Sequence, residues 1–175
     1  MELAIELAWQ CPPSQEAYSV GAVIVGADGT ELARGFSREG GDPHAHAEEA
    51  ALAKLAPGDP RLAGATVYST LEPCSWRKSR PRSCTELILA TRTADAAGTG
   101  AAGTGAIAAG PGTTGPGHSG PGDAGVGRVV IAWREPSLFV ADCQGAELLT
   151  RAGLEVVELP ELGTLAKAPN LHLDL

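Results

Sequence analysis

Two short motifs in this chain combine metal-binding side chains with a carboxylate. His46 and Glu48 stand two positions apart, and Cys74 and Cys84 follow downstream at the two ends of one loop. Zinc binds cysteine sulfur and histidine nitrogen, and a catalytic zinc has three protein ligands and a fourth position for water. Bound zinc lowers the pKa of that water to roughly 7, and a nearby carboxylate can move its protons. We therefore predict that His46, Cys74 and Cys84 bind Zn2+ and that Glu48 is the catalytic acid–base.

The segment around the cysteines resembles a known family. It reads Thr70-Leu71-Glu72-Pro73-Cys74-Ser75, then Arg80-Pro81, then Cys84-Thr85-Glu86-Leu87-Ile88. With the H-x-E motif, this pattern is typical of zinc-dependent nucleobase deaminases. It resembles most the deaminase domain of the bifunctional riboflavin-biosynthesis enzyme, and the similarity includes residues 20–25 and 127–132. Nine residues separate the two cysteines here, one more than in that family.

The resemblance implies a fold and an activity. The fold is α/β, a three-layer α/β/α cytidine-deaminase-like structure with a mixed five-stranded sheet. The activity is hydrolytic, on C–N bonds of cyclic amidines: water replaces an exocyclic amine of a phosphorylated aminopyrimidine, and Glu48 shuttles the protons. The expected substrate is the diaminohydroxyphosphoribosylaminopyrimidine of the riboflavin pathway. A homo-oligomer is expected by analogy only.

Several substrate-side positions depart from that family and keep other functions open. The family has histidines where Ser37 and Trp76 stand, and it differs across residues 17–21 and 135–138. A dCMP or cytidine deaminase, or a deaminase of a specialised pyrimidine from secondary metabolism, is therefore a rival. A tRNA- or DNA-editing deaminase and an inactive zinc-stabilised binding module are two further alternatives.

A structural zinc site is the alternative to a catalytic one. Structural zinc is usually closed by four protein ligands. His44 or Cys143 could supply a fourth ligand, but the carboxylate two residues after His46 favours a catalytic site.

A basic cluster lies in the loop between the two cysteines. Since both ends of this loop carry predicted zinc ligands, it must lie beside the active site, where its positive charge would attract a substrate phosphate. We predict phosphate binding by the four basic residues Arg77, Lys78, Arg80 and Arg82. Trp76 either stacks on the base or caps the loop.

The hydrophobic pattern predicts the elements that position these residues. Helices are expected over 2–10, 47–55, 84–90 and 142–152, and strands over 19–25, 31–36, 65–70, 128–132 and 154–158. Asp28-Gly29 predicts a hairpin turn. Glu49 is expected to point away from Glu48 on its helix, as a surface charge.

Length and composition set the remaining limits. The 175 residues fit one deaminase domain over 1–160, interrupted at about 91–124 by a Gly/Ala/Thr/Pro-rich insertion that we expect to be disordered. The tail, 161–175, is expected to be partly ordered at best. A net charge of −8 argues against nucleic-acid binding. Four cysteines do not suggest a disulfide framework, and without a basic leader or a long apolar run we expect a cytoplasmic protein that does not contact membranes.

Overall fold

The computed structural model describes residues 1–93 and 125–173, and this part of the chain forms five strands and five α-helices. In chain order they are α1 (Glu2–Ala8), β1 (Gly21–Val25), β2 (Glu31–Phe36), α2 (Ala47–Leu52), β3 (Thr66–Leu71), α3 (Cys84–Thr93), β4 (Arg128–Trp133), α4 (Gly145–Arg151), β5 (Glu155–Glu158) and α5 (Gly163–Lys167). Short 3₁₀ helices occupy Glu39–Gly41, Pro60–Leu62, Pro160–Leu162 and Ala168–Leu173.

The strands form one mixed sheet in the order β2-β1-β3-β4-β5. β1 pairs antiparallel with β2 and with β3, whereas β3, β4 and β5 run parallel. The parallel part follows from the helices that connect its strands, because a parallel pair needs a crossover connection. The predicted mixed five-stranded sheet is confirmed.

Helices cover both faces of the sheet. α1 and α5 contact each other on one face, where Ala4 and Leu7 pack on Val23 of β1. α2, α3 and α4 contact one another in turn on the other face, where Ala47 and Ala51 join the larger core. The predicted three-layer fold is therefore confirmed. In the described part of the chain, no helix has the length and apolar character to span a bilayer.

Turn residues and hydrophobic spacing predict most helix and strand boundaries to within a few residues. Asp28-Gly29 forms the predicted hairpin turn, with Gly29 at φ 84° and the Asp28 carboxylate accepting from the Thr30 amide at 2.9 Å. The predicted helix over 47–55 ends earlier, at Leu52. Lys54 and Leu55 donate to carbonyls three residues back, which tightens the last turn and ends the α-helix.

The expectation that the tail is partly ordered at best is wrong for residues 161–173, and the ordered segment begins at Pro160. They form 3₁₀ turns and α5, and Ala166, Asn170 and Leu173 are buried. Asn170 hydrogen-bonds Ser19, 151 positions away in the sequence, and no local sequence pattern predicts such a contact. Of the predicted disordered insertion, residues 91–93 are the end of α3. Residues 94–124 and 174–175 lie outside the described residues.

Candidate active site

Three helix and strand ends bring the predicted metal ligands together. His46 is the N-cap residue of α2, Cys74 follows β3, and Cys84 is the first residue of α3. His46 Nδ1 lies 3.6 Å from Cys74 Sγ and 3.5 Å from Cys84 Sγ. One ligand atom from each residue falls within 4.8 Å of the others. Two sulfurs and one imidazole nitrogen at this spacing fit a zinc ion with one open position.

Hydrogen bonds within this cluster favour a thiolate. The Cys84 amide donates to Cys74 Sγ at 3.3 Å, and hydrogen bonding from the Cys84 thiol above all, with help from His46, lowers the Cys74 pKa despite its burial. The same thiol bond and burial raise the pKa of Cys84. Burial lowers the pKa of His46, but its hydrogen bond with Cys74 and nearby negative charge outweigh this and raise it overall. Thiolate is the form of cysteine that binds metals.

Glu48 is buried beside the cluster, in the first turn of α2. The hydroxyl of Ser69, on β3, donates to Glu48 Oε1 at 2.8 Å. α2 approaches the sheet closely because β2 carries Gly35 there: a Cβ at this position would lie 2.6 Å from the carbonyl oxygen of Ala47. Sequence reasoning missed Ser69, since a serine within a buried strand is not a signal by itself.

A second buried carboxylate fixes the turn that carries Cys74. Glu72 accepts from the amide of Ala146 at 3.0 Å and from the amide of Glu135 at 3.3 Å. Gly145 passes so close to this turn that a Cβ would lie 1.9 Å from the Pro73 carbonyl oxygen. Glu72 belongs to the recognised motif, but its role became visible only with its partners.

The prediction that Glu49 is a surface charge is wrong. Its carboxylate accepts from the His46 amide at 3.4 Å and completes a capping box at the start of α2. It also pairs with Arg77 at 3.0 Å and with Arg80 at 3.2 Å. Burial raises the Glu49 pKa, but these contacts outweigh it and the pKa lies below its usual value. Glu49 does lie apart from Glu48, yet the basic loop folds over it.

The basic loop is therefore mostly held by the protein itself. Arg77, whose side chain is only 5% exposed, also donates to the Arg82 carbonyl at 2.8 Å, and Arg80 pairs with Asp42 as well. Lys78 is exposed, and among the described residues it has no hydrogen bond or ion pair. The paired arginines Arg77 and Arg80 support the loop, whereas the side chains of Lys78 and Arg82 are exposed.

A cavity of about 640 Å³ opens over the cluster, a size typical of small-molecule sites. His46, Glu48 and Cys74 line its reaction end. Of the predicted substrate-binding residues, Trp76, Arg77 and Lys78 line it; Arg80 and Arg82 are not among its described lining residues. Trp76 is 58% exposed at this cavity.

Another side of the cavity is a loop wall that we call the recognition wall, comprising the lining residues 13, 14 and 16–18 with Glu135 and Phe139. Arg38 has a left-handed backbone (φ 64°), and its guanidinium donates to the Pro12 carbonyl at 2.8 Å and the Tyr18 carbonyl at 2.9 Å. The Tyr18 ring lies edge-on to Phe139, 4.7 Å between centroids. Burial raises the pKa of Glu135 to about 7.

The two alternative zinc ligands lie outside the cluster. In residues 1–93 and 125–173, the metal-ligand group consists of His46, Cys74 and Cys84 only. His44 lines the cavity, and Cys143 Sγ lies 3.7 Å from the Pro73 carbonyl oxygen. This arrangement favours an open site over a closed structural one.

Comparison with known proteins identifies a family. The model of the cytidine and deoxycytidylate deaminase zinc-binding region matches residues 1–97. The chain is 34% identical over 157 residues to the diaminohydroxyphosphoribosylamino-pyrimidine deaminase of Schizosaccharomyces pombe, covering 89% of this chain and 30% of that protein. It is 48% identical over 75 residues to the tRNA(Ile)-lysidine synthase of Deinococcus radiodurans, covering 41% of this chain and 13% of that protein.

A solved structure is also similar to this chain. Form 2 of Acinetobacter baumannii RibD superposes with a TM-score of 0.64 at 27% identity, covering 98% of this chain and 37% of that one. The chain therefore spans at most 30% of these curated relatives and little more than a third of this structure.

Proposed function

The chain belongs to the cytidine and deoxycytidylate deaminase family, and from that premise we propose that it is a zinc-dependent hydrolytic deaminase of a phosphorylated aminopyrimidine. One observation carries the proposal: the buried Glu48 carboxylate lies beside the His46–Cys74–Cys84 cluster in a cavity large enough for a small molecule. A purely structural metal site needs neither the carboxylate nor the cavity.

The proposed roles follow from the chemistry of each group. His46, Cys74 and Cys84 would hold zinc, which when bound activates a water by lowering its pKa. Glu48 takes a proton from the attacking water and delivers it to the ring nitrogen. It then carries the second proton to the departing amine, so that water adds, ammonia leaves and a carbonyl remains.

The proposed substrate is diaminohydroxyphosphoribosylaminopyrimidine. The name of the S. pombe relative, 34% identical over most of this chain, supports it. Lys78 would bind the phosphate, because it is the exposed, unpaired cation on the cavity, and Trp76 would stack on the ring. Arg77, Arg80 and Arg82 would contribute to the positive potential, with Arg77 and Arg80 anchored through Glu49.

The proposal also includes the cellular compartment and the oligomeric state of the enzyme. All four cysteines are free thiols, as expected in a reducing compartment such as the cytoplasm. A homo-oligomer is part of the proposal by analogy with the family.

The test is ammonia release from the zinc-loaded protein with diaminohydroxyphosphoribosylaminopyrimidine, dCMP and cytidine compared side by side. We expect turnover of the first. Glu48→Gln should lower kcat about 100- to 10,000-fold, the range that general acid–base catalysis supplies, with zinc content unchanged. Glu31→Gln, which removes one carboxylate from an exposed ion pair on β2, is the control and should leave kcat unchanged.

Other outcomes would contradict the proposal in different ways. Turnover of dCMP alone would mean that the departures on the substrate side have changed the specificity of the pocket. Bound zinc with no turnover of any of the three, and no effect of Glu48→Gln, would favour a binding module.

A further inference from the structure

We infer that Ser69 is a positioning residue for Glu48, holding its carboxylate in the orientation that proton transfer requires. The inference rests on the proposed function, because it assigns Ser69 a role through the proposed acid–base. It is carried by one direct contact, the hydrogen bond that the Ser69 hydroxyl donates to Glu48 Oε1 at 2.8 Å.

The surroundings of Ser69 make this contact specific. Side chains two residues apart on a strand share a face, so Ser69 lies on the same face of β3 as Val67 and Leu71. Both neighbours are buried and apolar, and Ser69 itself is 0% exposed. A hydroxyl in such a place costs stability unless it is hydrogen-bonded. On this face of the strand the partner is the Glu48 carboxylate.

A hydroxyl suits a proton carrier better than other buried groups would. It can donate to a carboxylate and, after rotating, accept from a carboxylic acid. The contact can therefore persist in both states through which the proposed reaction takes Glu48. With Oε1 held by Ser69, Oε2 is the oxygen left for the reacting groups.

The same strand links the acid–base to the metal cluster. β3 ends at Leu71, and Cys74 follows three residues later. Ser69 thus fixes Glu48 of α2 relative to the segment that carries one predicted ligand. Fixed geometry of this kind matters because a displacement of about 1 Å can cost on the order of 100-fold in rate.

The next residue of β3 provides a matched control. Thr70 is also 0% exposed, but it points to the other face, where its hydroxyl accepts from the Gly21 amide at 3.2 Å. Ser69→Ala and Thr70→Val each remove one buried hydroxyl from the same strand, and only the first removes a partner of Glu48. Both should lower the melting temperature.

The experiment measures kcat, KM, zinc content and melting temperature for these two variants and for Ser69→Thr. We expect Ser69→Ala to lower kcat about 10- to 100-fold, the effect of a hydrogen bond to a charged group, with KM and zinc content within twofold of wild type. Thr70→Val should keep kcat within twofold. Ser69→Thr keeps the hydroxyl and should recover most of the lost rate.

Equal losses of kcat in Ser69→Ala and Thr70→Val would overturn the inference, as would a Ser69→Thr variant no faster than Ser69→Ala. Crystal structures of wild type and Ser69→Ala provide a readout that does not depend on turnover. We expect the Glu48 carboxylate to shift or become disordered in the variant. An unchanged Glu48 would overturn the positioning role, whatever the turnover. A displaced Glu48 together with no turnover of any tested pyrimidine would mean that the proposed function alone had failed.

Discussion

The two sides of the cavity are built differently. At the reaction end, functional groups come from regular elements or their ends and hydrogen-bond to one another: the Ser69 hydroxyl to Glu48, and the Cys84 amide to Cys74 Sγ. The recognition wall consists of loops, and distant residues hold it through its backbone. Arg38 binds the Tyr18 carbonyl, and Asn170 binds both backbone groups of the adjoining Ser19.

The difference separates chemistry from specificity. Groups that move protons and bind a metal must keep fixed distances, and helix and strand ends supply those distances. Loops tolerate changes of sequence more readily, so a wall made of loops can vary while the reaction stays the same. The departures from the riboflavin-pathway family at 17–21, 37 and 135–138 fall on the recognition wall or beside it.

The sharpest test of this division concerns Lys78. If it binds the substrate phosphate, Lys78→Ala should raise KM roughly 10- to 100-fold for a phosphorylated substrate, as expected for a lost charge-assisted contact. It should leave KM unchanged for the dephosphorylated form. The matched control is Arg82→Ala, which removes an exposed cation from the same loop that does not line the cavity. Equal effects of the two variants would show that only the overall charge of the loop matters.

A smaller effect is expected from a substitution in the C-terminal segment, residues 160–173, which Asn170 joins to Ser19. Asn170 Oδ1 accepts from the Ser19 amide at 2.6 Å, and its Nδ2 donates to the Ser19 carbonyl at 3.0 Å. Asn170→Ala leaves both groups buried without partners, so the free energy of unfolding should fall by about 1–3 kcal/mol. Urea unfolding measures this.

The same variant should raise KM while zinc content and kcat stay near wild type, because Asn170 holds Ser19, which directly follows residues 16–18 of the recognition wall. Leu171→Ala, at a neighbouring side chain that is 74% exposed, is the control. A loss of zinc in Asn170→Ala would mean that the two sides of the cavity are not independent.

The smallest effect should come from Glu135 and depend on pH. Burial raises its pKa to about 7, with the Tyr18 hydroxyl and the Glu72 carboxylate nearby. A raised pKa means that the folded state retains a proton that the unfolded state loses. The stabilisation is therefore complete below the ordinary pKa of a glutamate and is lost as the pH rises towards about 7.

Glu135→Gln carries no such proton. Relative to wild type, its melting temperature should increase by about 2–4 °C between pH 5 and pH 8. Because the Glu135 side chain is partly exposed, solvent screening limits the effect of the raised pKa to roughly 1 kcal/mol. Thermal unfolding at both values measures the difference, with Glu16→Gln, an exposed carboxylate on the same wall, as the control. A constant difference between the variants across this range would contradict the assignment.

The sequence was most informative where function depends on residue type and short spacing. The H-x-E motif and the two cysteines predicted the cluster, because few side chains bind zinc and these are rare in the chain. The order of strands and helices followed from hydrophobic period and turn residues, since both act locally. The basic loop was recognised as a unit, but not the pairing of its arginines with Glu49.

Contacts between residues that are far apart in the sequence could not be predicted from these local patterns. The sequence by itself determined the family, the mixed sheet and the residues proposed for zinc and proton transfer. Only the tertiary structure decided that Ser69 holds Glu48, that Glu49 pairs with two arginines, and that Asn170 joins the tail to Ser19, next to the recognition wall. The reason is physical: a buried polar side chain is defined by its partner, and these partners come from other elements of the fold.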